Sequence, residues 1–205
     1  MFLDHEKPLH TCKEQSCAGC DVGNAINCHF QMSQLAKFYA FCLPVMILGA
    51  IGLIRHSWWA FALWAVLFVT YFSLVEIRVM CSHCPHYAEQ GQRYLQCWAN
   101  YGAPKLWKYR PVPMSVGENI VFFAGLFVVC FFPVVFMILR ADYLILALFA
   151  AALAVGSFML RHFLCVKCMN FACPFNRTDR ETRQKFFAHN PAIAKGWRDS
   201  GYRKF

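Results

Sequence analysis

Charge is scarce in this sequence. Asp, Glu, Lys and Arg make up 15% of its 205 residues, and 11 acidic residues face 20 basic ones. A soluble domain usually carries nearer a quarter charged residues, so this balance excludes an ordinary water-soluble globule. A Gly-rich phosphate loop and a nucleophile elbow are also missing, which removes the usual nucleotide-dependent and hydrolytic chemistries. No histidine falls inside a long apolar run, so a haem held between membrane helices would have no histidine ligand there. The first such run begins only near residue 38, after a polar tail, and this predicts a retained span rather than a cleaved leader.

What is abundant is apolar residues (59%) and cysteine (12 residues). The apolar residues gather in four runs, roughly Phe38–Ile54, Trp58–Val75, Ile120–Leu139 and Tyr143–Leu160. Each is about 17–20 residues long, near what a helix needs to cross ~30 Å of hydrocarbon at ~1.5 Å per residue. The expected fold is an all-α membrane protein with four transmembrane helices arranged as two hairpins. Its segments are a cysteine-rich tail (1–32), hairpin 1 (33–80), a cysteine-rich loop (81–115), hairpin 2 (116–164), and a second cysteine turn with a basic tail (165–205).

The two short links, Arg55-His56-Ser57 and Arg140-Ala141-Asp142, hold only two of the 20 Lys and Arg residues. The other cations lie in the tails and the central loop, which an even number of spans puts on one side. The positive-inside rule makes that side the cytoplasm of an inner membrane, with both termini there. The net charge of +9 then answers to anionic lipid rather than to nucleic acid.

A weak parallel repeat runs through the chain. Each half has a Met-Ser entry (Met32-Ser33, Met114-Ser115), an Arg in the outer turn and a Cys-x-x-Cys exit. Such a duplication implies an axis along the membrane normal. Local signals refine this. Ser33 and the capping boxes Ser115–Glu118 and Thr178–Glu181 mark helix starts. Pro44 predicts a kink, Gly49 and Gly52 a close helix approach, and Asn190-Pro191 a break between two helices. The aromatic, basic and proline-rich stretch Trp98–Met114 suits a segment lying on lipid headgroups. The C-terminal tail, with Phe186, Phe187 and Trp197, suits a membrane surface or a protein partner at the cytoplasmic face.

Ten cysteines fall in the polar segments, where a cytoplasmic setting keeps thiols reduced and favours metal or redox chemistry. Cys42 and Cys130 lie inside apolar runs and read as small hydrophobes. Cys-x-x-Cys turns occur at Cys17/Cys20, Cys81/Cys84 and Cys165/Cys168, each placing two sulfurs on one side of a tight loop. Cys12, Cys17, Cys20 and Cys28 are close enough in sequence to form one site. Cys81, Cys84, Cys165 and Cys168 are expected to share another, or two adjoining ones completed by Cys97 and Cys173.

Iron–sulfur is the favoured cofactor and zinc the alternative. Cys12-x4-Cys17-x2-Cys20 matches the first three ligands of the plant-type [2Fe–2S] spacing, though Cys28 follows sooner than a fourth ligand would. Cys84-Pro85 and Cys173-Pro174 resemble the Cys-Pro closing a bacterial ferredoxin run, without the rest of that array. His29, His83, His86 and His162 flank the thiols and read chiefly as surface residues. Glu76, at the inner end of the second span, is a candidate proton or quinone group, or else an ion-pair partner of Arg78 or Arg161. These features point to a membrane redox subunit, possessing no turnover of its own or belonging to an oxidoreductase complex, that exchanges electrons with a soluble partner or a quinone. A zinc-stapled scaffold or assembly factor is the alternative, and a soft-metal transporter or thiol sensor the third reading.

Overall fold

The computed structural model describes residues 7–202, so the chain ends themselves lie outside the described residues. Within that range the fold is helical and contains no strand, only an isolated bridge between Tyr94 and Pro104. Helix α1 spans Met32–His56 and α2 spans Trp58–Thr70. A π-helical turn, Tyr71–Val75, carries α2 into α3 (Glu76–Val79) and a 3-10 turn at Cys81–His83; α4 (Pro85–Ala88) follows. Helix α5 spans Val116–Leu139 and α6 spans Tyr143–Met159. A second π-helical turn, Leu160–Leu164, leads α6 into a 3-10 turn at Cys165–Lys167. The chain closes with α7 (Arg180–His189) and α8 (Pro191–Asp199).

Four helices, Met32–His56, Trp58–His83, Val116–Leu139 and Tyr143–Lys167, are long and apolar enough to cross a membrane. Their outward residues are apolar as well; Ile47, Val66, Phe127 and Leu144 are all exposed. Contiguous apolar surface on this scale has no place in water and matches hydrocarbon.

Helix α1 lies against α2, α5 and α6. Small residues make this approach close. A Cβ at Gly52 would stand 2.5 Å from Met137, and one at Gly156 would stand 2.7 Å from the Phe41 carbonyl oxygen. Both prolines in the spans sit within continuous helix. Pro133 has no N–H to give to the carbonyl of Val129, and that carbonyl instead accepts from Trp64 Nε1 at 2.9 Å. Tyr71 Oη likewise donates to Phe122 O at 2.7 Å, so α2 and its π-helical continuation are tied to α5 by two bonds in an apolar setting.

At one end of the bundle the outer turns join through Asp142, which accepts from Arg55 at 3.1 and 3.2 Å and pairs with Arg140 at 3.2 Å. The thiol-rich segments assemble elsewhere. Leu9, Val22 and Ile26 of the N-terminal tail share a core with Phe186, Phe187, Ile193 and Trp197. The C-terminal helices therefore turn their aromatic faces inward onto the tail, where the expectation was a membrane or partner surface. The two polar segments cover each other's apolar side chains, which neither could bury alone.

The loop after α4 packs in part onto the end of the bundle. Trp107 and Tyr109 pack with Tyr87, Leu95 and Met114, and Tyr87 Oη accepts from the Trp107 backbone at 2.6 Å. These rings close the loop over the first cysteine turn, while Tyr101 and Leu106 of the same segment are exposed. The capping box at Ser115 and Glu118 forms as expected. Two caps move by one or two residues: α1 starts after Gln31 rather than Ser33, and Asp179 rather than Thr178 caps α7, accepting from Thr182 N at 2.8 Å.

Candidate metal centre

All three Cys-x-x-Cys turns close in the same way. The backbone N–H of the second cysteine donates to the carbonyl of the first, Cys20 to Cys17 at 3.2 Å, Cys84 to Cys81 at 2.9 Å and Cys168 to Cys165 at 3.4 Å. This i to i+3 bond holds the two sulfurs of each turn on one side. In the second and third turns it forms as a membrane-length helix ends, so the sulfurs are presented at the helix terminus. Asn176 Nδ2 (2.6 Å) and Thr178 Oγ1 (2.9 Å) both donate to the Cys168 carbonyl and fold the following segment back over the turn.

Cys81, Cys84 and Cys97 from the first half and Cys165, Cys168 and Cys173 from the second all line one cavity of about 70 Å³. A single buried water needs roughly 10–15 Å³ of such space, so this void is large for a well-packed interior. Asn27, His86 and Asn170 line it too. Each is buried and keeps an unpaired polar atom, Asn27 Nδ2, His86 Nδ1 and Asn170 Oδ1. Three orphaned polar atoms and six sulfurs around one void are the donor set of a bound group rather than of a hydrophobic core.

Backbone amides face several of the sulfurs. Ala99 N and Asn100 N both donate to Cys97 Sγ at 3.4 Å. The His86 amide is directed at Cys84, the Asn170 amide at Cys168, and the Phe175 and Asn176 amides at Cys173. Burial acts in the other direction. It pushes the Cys84, Cys97 and Cys168 thiols above their ordinary range, and Cys173 up to about 12. Thiols so placed stay protonated and unreactive without a cation beside them, which sets them apart from the exposed thiolates of disulfide exchange. The 12 cysteines are all free.

In the N-terminal tail, burial first and then neighbouring charge, including the nearby sulfurs, push the Cys12, Cys17 and Cys28 thiols up, Cys28 to about 12. Cys17 Sγ is 3.5 Å from His29 Nε2. Cys20 is drawn toward the C-terminal helices: its sulfur, an Asp21 oxygen and a His189 ring nitrogen lie within 4.8 Å of one another. Among the described residues no other three His, Cys, Asp or Glu ligand atoms converge so closely. A zinc ion with four thiolates at about 2.3 Å would draw its sulfurs to about 3.8 Å apart. The sulfurs around the central cavity are spread more widely than that.

The remaining candidates separate clearly. His86, which reads as a surface residue in the sequence, is 6% exposed at the cavity wall, and burial takes its ring down to about 3, so it is neutral at pH 7. His83 instead uses Nδ1 on the Val112 carbonyl at 2.7 Å, and His162 is exposed with Nδ1 on Phe158 O at 2.9 Å. Glu76 is buried and meets neither Arg78 nor Arg161. Arg78 reaches Glu118 at 3.5 Å, and Glu76 faces the Asn100 side chain instead. Cys42 and Cys130 are free, partly buried residues of α1 and α5. The asparagines were missed in the sequence. Their available signal was position, since Asn27, Asn100, Asn170 and Asn176 each lie within three residues of a cysteine. The chain matches no protein-family model, no curated protein and no solved structure.

Proposed function

We propose that this chain is a membrane-embedded electron carrier whose central centre is an iron–sulfur cluster held by thiolates of the sulfur-lined cavity. The carrying observation is the cavity itself: six cysteines, three from each half of the chain, line a space of about 70 Å³. That space exceeds what one metal ion requires, and the sulfurs are not gathered into a zinc-sized tetrahedron. Four thiolates hold either common cluster type, and amide N–H donors at the sulfurs tune its potential. Such a group supplies one-electron transfer. The protein's part is to hold the thiolates, exclude water with Leu95, Trp98 and Met169, and present the centre beside the membrane.

In this reading the spans form two hairpins related by a parallel repeat. The thiol-rich segments are placed on the cytoplasmic side, a placement supported by the cation distribution. The four tail thiols, Cys12, Cys17, Cys20 and Cys28, serve as a second ligand set at the surface, facing a soluble electron partner. Glu76 is the proton-bearing group on the membrane side, where a quinone is the candidate exchange partner. Anaerobic purification followed by iron, acid-labile sulfide and zinc analysis tests the reading. Brown protein with iron and sulfide in equal amounts is expected; colourless protein holding only zinc would replace the carrier by a zinc-stapled scaffold. A second reading is soft-metal transfer, with Cys42 and Cys130 within the spans as its candidate thiols. Metal accumulation that collapses in Cys42→Ser and Cys130→Ser, with the central centre intact, would establish it.

A further inference from the structure

We propose that Cys20, Asp21 and His189 form a site for one divalent metal ion of the zinc class, set between the N-terminal tail and the end of α7. Their ligand atoms, a sulfur, a carboxylate oxygen and a ring nitrogen, lie within 4.8 Å of one another. Thiolate, carboxylate and imidazole are the side-chain ligands that zinc takes. The site goes beyond the electron-carrier reading and does not rest on it; it adds Asp21 and His189 to the ligand set of the tail.

The backbone brings these side chains together from opposite ends of the chain. Cys20 stands between two successive tight turns: its N–H donates to Cys17 O at 3.2 Å, and its carbonyl accepts from Gly23 N at 3.2 Å. His189 is the last residue of α7. Its carbonyl accepts from Lys13 N at 2.9 Å, and the Thr11 hydroxyl donates to Asn190 Oδ1 at 2.7 Å. Beside them Leu9, Val22 and Ile26 share a core with Phe186 and Phe187, so the seam closes without the ion.

The hydrogen bonding of the ring gives the metal its place. His189 Nδ1 lies 3.0 Å from Glu14 Oε1, and Nε2 lies 2.7 Å from Asp21 Oδ1. A neutral imidazole carries a single N–H. With that N–H given to Glu14, Nε2 turns a lone pair toward a carboxylate oxygen, acceptor against acceptor. A cation between them relieves this. A proton would do so as imidazolium, but it leaves the Cys20 sulfur without a part; a metal ion uses all three groups. A carboxylate on the far ring nitrogen is also the usual support of a metal-bound histidine. Tetrahedral zinc, with bonds of about 2.0–2.3 Å, sets nitrogen and oxygen about 3.3 Å apart and each about 3.6 Å from sulfur. The Asp21 carboxylate therefore withdraws by about half an ångström, for which its 51% exposure gives room. The fourth ligand comes from solvent. Binding releases the Cys20 thiol proton, and the ion then pins to α7 a tail whose Asn27 lines the central cavity.

The test titrates zinc into the full chain, purified anaerobically in detergent, and follows iron in the same samples. Wild type is compared with D21A, H189A, E14Q and C17A. D21A and H189A should each bind one zinc per chain fewer than wild type and keep the wild-type iron. E14Q should keep the stoichiometry and bind that zinc about 10–100-fold more weakly, since Glu14 orients the ring without touching the metal. Variants of Cys20 do not decide, because a site built from the tail thiols alone would lose zinc with them too. A full zinc complement at wild-type affinity in either D21A or H189A overturns the site, as does a wild type that binds no zinc. If C17A loses the zinc that D21A and H189A keep, the ion belongs to the tail thiols. Wild-type affinity in E14Q would remove the choice of Nε2, and the site with it. Should H189A fail to accumulate, D21A decides alone, as its side chain is half exposed. Absence of iron from every sample would end the electron-carrier reading and leave this test standing.

Discussion

Arg110 is the clamp that keeps the loop carrying Cys97 over the first cysteine turn. Its guanidinium donates to Glu118, to the Arg78 carbonyl at 2.7 Å and to Ser82 Oγ at 2.9 Å, while its own backbone N–H meets Ser82 O at 2.8 Å. Glu118 also closes the α5 capping box and takes Arg78 at 3.5 Å. A buried charge-assisted bond contributes about 1.5–3 kcal/mol. Here the side chains are 28% and 17% exposed, so about 1 kcal/mol per bond is the better figure after screening. Arg110→Ala should therefore destabilise by about 2–3 kcal/mol, and Glu118→Gln by about 1–2 kcal/mol because the amide preserves part of the box. The double variant should show a coupling of about 1–2 kcal/mol. For a chain of this size 2 kcal/mol corresponds to a fall in Tm of about 4–8 °C. Thermal unfolding in detergent micelles, followed by far-ultraviolet circular dichroism, reads these shifts. A chelator challenge should strip metal faster in the same order, since Cys97 rides on the clamped loop. Additive effects, with coupling below about 0.3 kcal/mol, would refute the clamp.

Three further outcomes are expected. Gly156→Ala places a Cβ 2.7 Å from the Phe41 carbonyl oxygen, a backbone atom that cannot turn aside, so it should cost about 1–3 kcal/mol; Gly117→Ala, with open space around it, should be neutral or slightly stabilising in the same melt. Asp142 is held below the usual carboxylate range by its hydrogen bonds from Arg55 first, and by Arg140, so the tether is present above the ordinary aspartate pKa and lost as pH falls through the lowered one. Cross-linking between residues 55 and 142 should thus be unchanged from pH 5 to pH 8 and drop in strong acid; a change near neutrality would contradict this. Asp179→Ala removes the cap of α7 and should cost about 1 kcal/mol, seen as faster hydrogen exchange in α7 and in the tail residues packed on it; unchanged exchange would show that the cap contributes nothing.

The features legible in the sequence are those written in contiguous residues. Four spans could be read because hydropathy sums along a single helix, and the Ser115–Glu118 box because both partners lie in one turn. The three Cys-x-x-Cys turns are equally local, each closed by a backbone bond over three residues. The caps of α1 and α7 slipped by a residue or two because several polar residues compete at each start, and packing chooses between them. What only the tertiary structure decided is everything that joins distant residues. Trp64 answering the carbonyl freed by Pro133, Glu76 facing Asn100 in place of an arginine, and the shared core of the two tails all depend on side chains tens to nearly two hundred residues apart. The same holds for the cavity. Each half of the chain shows its cysteines openly, but that three from each half line one cavity with Asn27, His86 and Asn170 follows from how the halves pack. A one-dimensional pattern records the sulfurs' chemistry; their convergence is set by where the helices end and how the two halves pack.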